Sequence, residues 1–149
     1  MLSPKFEDLL ARIRSFDHPE VDSKQTEVVS EAGTDGSFSV AVKLFDHQRN
    51  YLVRDYPLGK GYTLPGMLVT FKPGSAEVRI ENAYLRSEYS GRGIGTKFIC
   101  DLLEAARSNG FKKVSLVADE ATEAASYWER KQGFVVPDPE RPRLMIKNI

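Results

Sequence analysis

The sequence predicts a single-domain mixed α/β fold, a sheet with helices on its faces, and three observations predict it. Apolar residues recur at helical spacing in three separate stretches. Short β-rich stretches lie between them, several with strict alternation. The two kinds interleave along the chain, which is the order of a sheet carrying helices rather than of a bundle or a sandwich. At 149 residues the chain is about one domain, 1–149, long enough to bury a core without disulfide or metal staples.

Each element has a local reason. Ser3 can cap a first helix and Pro4 suits its first position. Phe6, Leu9, Leu10, Ile13 and Phe16 then form one apolar stripe. Thr26 to Ser30 reads as a short strand, and residues 33–36 as a turn. Phe38, Val40, Val42 and Leu44 alternate with Ser39, Ala41 and Lys43, the pattern of a strand with one buried face. Residues 46–65 hold Pro57, Gly59, Gly61 and Pro65 and read as a long connection with a short strand at Tyr51 to Arg54. Met67 to Phe71 and Ala76 to Leu85 are two strands of a hairpin joined at Lys72–Ser75. A helix runs from the glycines at 91–95 to Ser108, with Ile94, Phe98, Ile99, Leu102, Leu103 and Ala106 on one side. Lys113 to Ala118 has the apolar character of a central strand. Ala121 to Lys131 is a further helix with Ala124, Ala125 and Trp128 as its stripe, and Gly133 stops it. Phe134 to Val136 and Arg143 to Ile149 close the chain as strands.

Composition excludes several classes. Lys+Arg and Asp+Glu are both 21, so no global field attracts nucleic acid or anionic lipid. No apolar run exceeds three residues, too short for a helical membrane span. Glu7 and Asp8 stand where a signal peptide is apolar, and Cys100 is the only cysteine. A cytoplasmic protein is expected, without disulfide or metal site. His18 and His47 fall in expected loops and are too few for a metal cluster.

The chemical signal is Tyr84-Leu-Arg-Ser-Glu-Tyr-Ser-Gly-Arg-Gly-Ile-Gly95. A strand runs into three alternate glycines and then into a helix. Glycines let the backbone turn its N–H groups inward, and a helix N-terminus favours an anion such as a phosphate. A Walker A loop and a Rossmann fingerprint both need spacings that this stretch lacks.

On these residues, the chain resembles the GCN5-related N-acetyltransferase (GNAT) superfamily. That family's signature is Arg/Gln-x-x-Gly-x-Gly/Ala between its fourth strand and the next helix, and residues 88–95 match its common form with Ser90 at the first position. The stretch from Val117 to Gly133-Phe134, with Ala124-Ala125 and the pair Tyr127-Trp128, resembles the family's next block. Leu144 to Lys147 resembles its closing strand. The likeness covers about residues 66–149.

The resemblance implies a mostly antiparallel central sheet with helices on both faces, and acetyl-coenzyme A as cosubstrate. It implies that the cofactor pyrophosphate rests on Ser90, Gly91, Arg92, Gly93, Ile94, Gly95 and Thr96, and that the pantetheine arm pairs with Tyr84, Leu85 and Arg86. It implies a general base at Glu81, where members often carry glutamate. The family's acid, a tyrosine four residues before the Gly-Phe glycine, is replaced by Glu129. That residue is expected to contact an acceptor ammonium or to be idle, because Arg130 and Lys131 favour its ionised form. Tyr127 lies about 200° around the helix and is expected to point elsewhere. The acid stays unassigned. Tyr51, Tyr56 and Tyr62, interleaved with Arg49, Arg54 and Lys60, are candidates for acceptor binding. The expected activity is transfer of an acetyl group to a primary amine of a small molecule or a protein. The alternatives are a non-catalytic module binding coenzyme A or protein, and an acetyltransferase of RNA or of toxin type. The expected partners include no membrane and disfavour nucleic acid; a homodimer is compatible with them.

Overall fold

Alternation decides which strand residues are buried. Phe38, Val40 and Val42, then Met67, Val69 and Phe71, then Val78 and Ile80, then Val114 and Leu116 turn to one side and are each almost fully buried. The residues between them are half-buried or exposed, except Ser115. The computed structural model describes residues 4–33, 35–118 and 124–149. It contains α1 (Pro4–Arg14), β1 (Glu27–Ala32), β2 (Phe38–Lys43), β3 (Tyr56–Gly59), β4 (Tyr62–Leu64), β5 (Met67–Lys72), β6 (Glu77–Ala83), α2 (Ile94–Ser108), β7 (Lys113–Val117), α3 (Ala124–Gln132) and β8 (Leu144–Asn148). Six strands form a mixed sheet in the order β1-β2-β5-β6-β7-β8, and β3 with β4 forms a separate hairpin. Every neighbouring pair is antiparallel except β6 with β7.

The apolar stripes of the helices close the core. Leu9, Leu10, Ile13 and Phe16 of the first segment join Phe98, Ile99, Leu102, Leu103 and Ala106 of α2. Phe16 meets Phe98 edge-on at 5.1 Å, and Phe6 lies 4.5 Å from Phe38. Such ring pairs add to the burial of apolar area. Asn109 and Gly110, with φ of +90°, end α2. Among the described residues no helix is long and apolar enough to cross a membrane.

Two details of β6 open a gap in the sheet. Leu68 faces Asn82 and Val69 faces Ile80, so Glu81 is the extra residue of a bulge. The parallel pairing with β7 ends at Ile80 opposite Leu116, while β6 runs on to Ala83. The two strands part there, and Ile80, Glu81, Leu116, Val117 and Trp128 line the fork.

Four expectations need correction. Residues 46–65 are not a bare connection, since β3 and β4 lie within them. Pro57 and Gly59 sit at a register shift, and Lys60 and Gly61 form the turn with φ of +54° and +81°. Positive φ at both central residues is what a type I′ hairpin turn requires. The residues read as breakers are the turn itself. Tyr51 to Arg54 is not a strand; Tyr51 bridges Phe45 and Val53 bridges Leu85. Phe134 to Val136 is likewise reduced to one bridge, Val135 to Ile146, because Pro137 follows. The second strand of the central hairpin ends at Ala83, two residues short of Leu85. Ser3, and the expected helix start at Ala121, lie outside the described residues.

Phe98→Ala should lower stability by about 3–5 kcal/mol, because it empties a buried site lined by Phe16. Val29→Thr, on the exposed edge strand, should stay within about 0.5 kcal/mol. Urea denaturation of both variants measures the contrast.

Candidate functional site

An unused strand edge marks the site. Beyond β6 the chain stays extended and pairs with residues 52–54. The amide of Arg54 donates to the Tyr84 carbonyl at 2.9 Å, and that of Arg86 donates to the Leu52 carbonyl at 2.8 Å. The Tyr84 amide is held by Gly66 and the Arg86 carbonyl by Tyr89. Between them, Leu85 has neither its N–H nor its C=O engaged by a described residue. Alternation along a strand turns these two groups away from residues 52–54. Leu85 is thus the one residue of Tyr84 to Arg86 able to pair with an added extended ligand.

The glycine turn comes directly after it. Gly91 and Gly93 have φ of +77° and +78°, and nothing lies within 4 Å of a Cβ built on either. Their glycine requirement is conformational. Gly95 differs, since a Cβ there would meet Leu85 Cδ1 at 3.2 Å. Gly93 is the N-cap of α2 and offers no side chain to it. The amides of Gly91 through Thr96 make no hydrogen bond to a described residue. A helix start normally caps such donors. Left bare at the positive end of a fifteen-residue helix, such donors have the chemistry that suits an anion.

The free edge and the bare amides open into one cleft of about 620 Å³. Ala83, Tyr84, Leu85, Tyr89 and the residues of the glycine turn line one side, and Tyr127, Trp128 and Lys131 of α3 line the other. The Tyr127 hydroxyl lies 3.0 Å from Thr96 Oγ1 and accepts from Gln132 Nε2 at 3.2 Å. Glu129 is exposed and is not among the lining residues. The 200° between the two positions holds, and it is Tyr127 that turns inward. Counting back from Gly133 picks a residue one helical face away. Glu81 projects from the bulge, pairs with Arg79 at 3.4 Å, and lines the fork with Tyr84 and Trp128. Those two residues also line the cleft, so Glu81 stands beside it and not in it.

Two loops brace the turn from outside. Arg92 reaches Glu20 at 2.7 Å, and its guanidinium lies over the Tyr89 ring at 5.4 Å. The Glu20 amide donates to His18 Nδ1, so the neutral ring carries its proton on Nε2 and donates to the Arg92 carbonyl at 3.2 Å. Lys97 donates to the Asp17 carbonyl. From the other side comes Asp46, only 8% exposed. Its Oδ1 accepts from the amides of Gln48 and Asn50, and its Oδ2 accepts from Asn50 Nδ2 and the Tyr89 hydroxyl at 2.9 Å. Burial would raise this carboxyl, but the donors from Asn50, Tyr89 and Gln48 outweigh it and hold it below its ordinary value. Burial, then the Asp46 carboxylate, push the Tyr89 phenol up. Ser90 donates to the Ser87 carbonyl and so serves its own turn.

The acceptor candidates scatter. Tyr56 packs on Tyr84 at 4.9 Å and so adjoins the cleft. Tyr51 donates to Asp55 at 2.7 Å, with its phenol pushed up by burial and by that carboxylate. It lines a separate open hollow with Arg54 and Arg86. Tyr62 is 71% exposed on β4 and is not brought to the cleft. Cys100 is exposed, with its thiol 3.6 Å from Gln132 Oε1. Among the described residues no group of three or more His, Cys, Asp or Glu could hold a metal ion. Asp46, Tyr89 and Tyr127 are the residues that sequence reasoning missed; an aspartate in a loop, able to form an Asx turn with the amide of Gln48, was the available signal for the first.

A family model described as acetyltransferase (GNAT) family matches residues 11–134. Among curated proteins no match is found. The fold resembles that of PaiA N-acetyltransferase from Thermoplasma acidophilum, solved in complex with coenzyme A, with a TM-score of 0.51 at 13% identity over 76% of this chain and 61% of that one. It also resembles nourseothricin acetyltransferase, with a TM-score of 0.51 at 14% identity over 94% of this chain and 91% of that one.

Gly93→Ala should cost about 1–2 kcal/mol in stability, the penalty of holding an L-residue at left-handed φ, although its methyl meets no atom. Equilibrium denaturation against wild type measures it.

Proposed function

Because the chain belongs to the acetyltransferase (GNAT) family, we propose that it transfers an acetyl group from acetyl-coenzyme A to a primary amine, on a small molecule or a protein, by direct transfer. The observation that carries this reading is that one cleft is lined both by the free edge at Leu85 and by Gly91, Gly93, Ile94, Gly95 and Thr96, whose amides no described residue engages. A ligand combining an extended amide-bearing arm with a pyrophosphate fits both ends. The residues present fit that group on their own geometry. The nest is open, since no atom stands where Gly91 or Gly93 would carry a Cβ.

The thioester supplies an activated acyl group, and the protein supplies position and protons. The amides of Gly91 to Thr96 neutralise the pyrophosphate, aided by the α2 dipole. Arg92 stays with Glu20, so the backbone carries this task. Leu85 fixes the arm in register through its N–H and C=O. Glu81, at the fork, takes the proton of the acceptor ammonium, directly or through one water, and so makes the amine a nucleophile. Tyr127 donates a proton to the departing thiolate. The Tyr127 oxygen accepts from Gln132 and lies 3.0 Å from Thr96 Oγ1, so with the threonine hydroxyl as donor the phenol hydrogen is available to the thiolate. Glu129, exposed on α3, takes no part in this step.

Trp128 is the single tryptophan and lines the cleft, so its emission should report coenzyme A binding. Thiol release with a panel of primary amines tests turnover. Glu81→Gln should lower kcat by roughly 10²–10⁴-fold, and Tyr127→Phe by about 10²-fold, with cofactor affinity little changed. Glu129→Gln should leave kcat within a few-fold. Binding without turnover across the panel would refute the reading as an enzyme and leave a coenzyme A-binding module.

A further inference from the structure

Asp46 is a buried carboxylate outside the cleft, and its two oxygens do different things. Oδ1 accepts from the amides of Gln48 at 2.9 Å and Asn50 at 2.8 Å, which folds the 46–50 turn. Oδ2 accepts from Asn50 Nδ2 at 3.1 Å and from the Tyr89 hydroxyl at 2.9 Å. The second contact leaves the turn and crosses 43 residues of chain to a residue that lines the cleft. Tyr89 sits between the free edge at Leu85 and the glycine turn, and its ring faces the Arg92 guanidinium. The 46–50 turn also joins Phe45 to Tyr51, just before the segment 52–54 that occupies the other edge of Tyr84 and Arg86. One side chain therefore ties the strand edge to the anion nest.

We infer that Asp46 is a positioning residue for cofactor binding: through Oδ2 it fixes the Tyr89 phenol and thereby the spacing between the Leu85 edge and the glycine turn. This rests on reading the cleft as the coenzyme A site. A ligand gripped at both ends senses that spacing, because a hydrogen bond made with the wrong length or angle weakens steeply. Losing the Asp46–Tyr89 contact lets the ring move, and Arg92 with it, and so shifts the glycine turn relative to Leu85 without removing any cofactor-facing backbone group.

The test is a double-mutant cycle read by coenzyme A affinity, from calorimetry and Trp128 emission, so that no acceptor is needed. Tyr89→Phe removes the hydroxyl and keeps the ring against Arg92. Asp46→Asn keeps an oxygen for the Gln48 and Asn50 amides and replaces the charged acceptor that Tyr89 uses. Each should weaken coenzyme A binding by about three- to tenfold, below the full strength of a charge-assisted hydrogen bond because the effect is indirect. In the Tyr89→Phe background, Asp46→Asn should add less than a further twofold, as contacting residues in one network are not additive. In turnover, the KM for acetyl-coenzyme A should rise while kcat holds. A purely structural Asp46 would lower thermal stability, leave the affinity of the folded protein unchanged, and act independently of Tyr89. Affinity within twofold of wild type in Tyr89→Phe, or a double variant equal to the product of the two single effects, overturns the inference. Wild type that does not bind coenzyme A overturns instead the reading on which it rests.

Discussion

Two parallel neighbouring strands cannot be joined by a tight turn, and the site depends on that constraint. β6 and β7 run parallel, so the chain must cross back over the sheet, and α2 is the crossover. The helix therefore starts at the end where β6 finishes. The positive end of its dipole and the last residues of the strand are forced into one place. Parting of the strands after Ile80 and Leu116 then opens a space between a strand edge and a helix start. Neither feature makes a site alone. Together they make a groove with hydrogen-bonding backbone along one part and a positive end at another.

Such a groove carries a cost. Six amides without partners among the described residues, together with three closely spaced glycines, form a segment with little to hold it in shape. The structure supplies the support from side chains that are not themselves aimed at the cleft. His18, Glu20 and the Asp17 carbonyl grip Arg92 and Lys97 on one side, and Asp46 holds Tyr89 on the other. The charged side chain nearest the nest is thus engaged by a loop some 70 residues earlier in the chain. In the proposed reading, anion recognition then falls to the backbone, whose position the helix fixes, rather than to the Arg92 guanidinium.

Much of this was legible in the sequence. The stripe Ile94, Phe98, Ile99, Leu102, Leu103, Ala106 is a local pattern, and it is the buried face of α2. The three glycines, with a strand before them and a helix after, marked the turn. What was not legible depends on distant partners or on direction. Lys60 and Gly61 form a turn inside a stretch that reads as loop, because proline and glycine signal a break without saying whether the chain turns back on itself. Tyr127 and Glu129 differ only in which face of a short helix points inward, and the packing of Trp128 against Phe134 decides that. Asp46 bonds to a residue 43 positions away, and no local pattern announces such a contact. Of Tyr84, Leu85 and Arg86, the sequence could not single out Leu85. Its freedom exists only because residues 52–54 occupy the other edge.

The three glycines of the turn follow two different rules. At Gly91 and Gly93 space is open and the backbone is left-handed, so the rule concerns handedness. The backbone of a mirror-image residue meets it without strain. At Gly95 the backbone is ordinary helix and a Cβ would meet Leu85 at 3.2 Å, so the rule concerns size. A short motif that looks uniform on paper therefore reports two separate pressures. One keeps the amides pointing inward, and the other lets the helix sit close against Leu85, whose N–H and C=O no described residue engages.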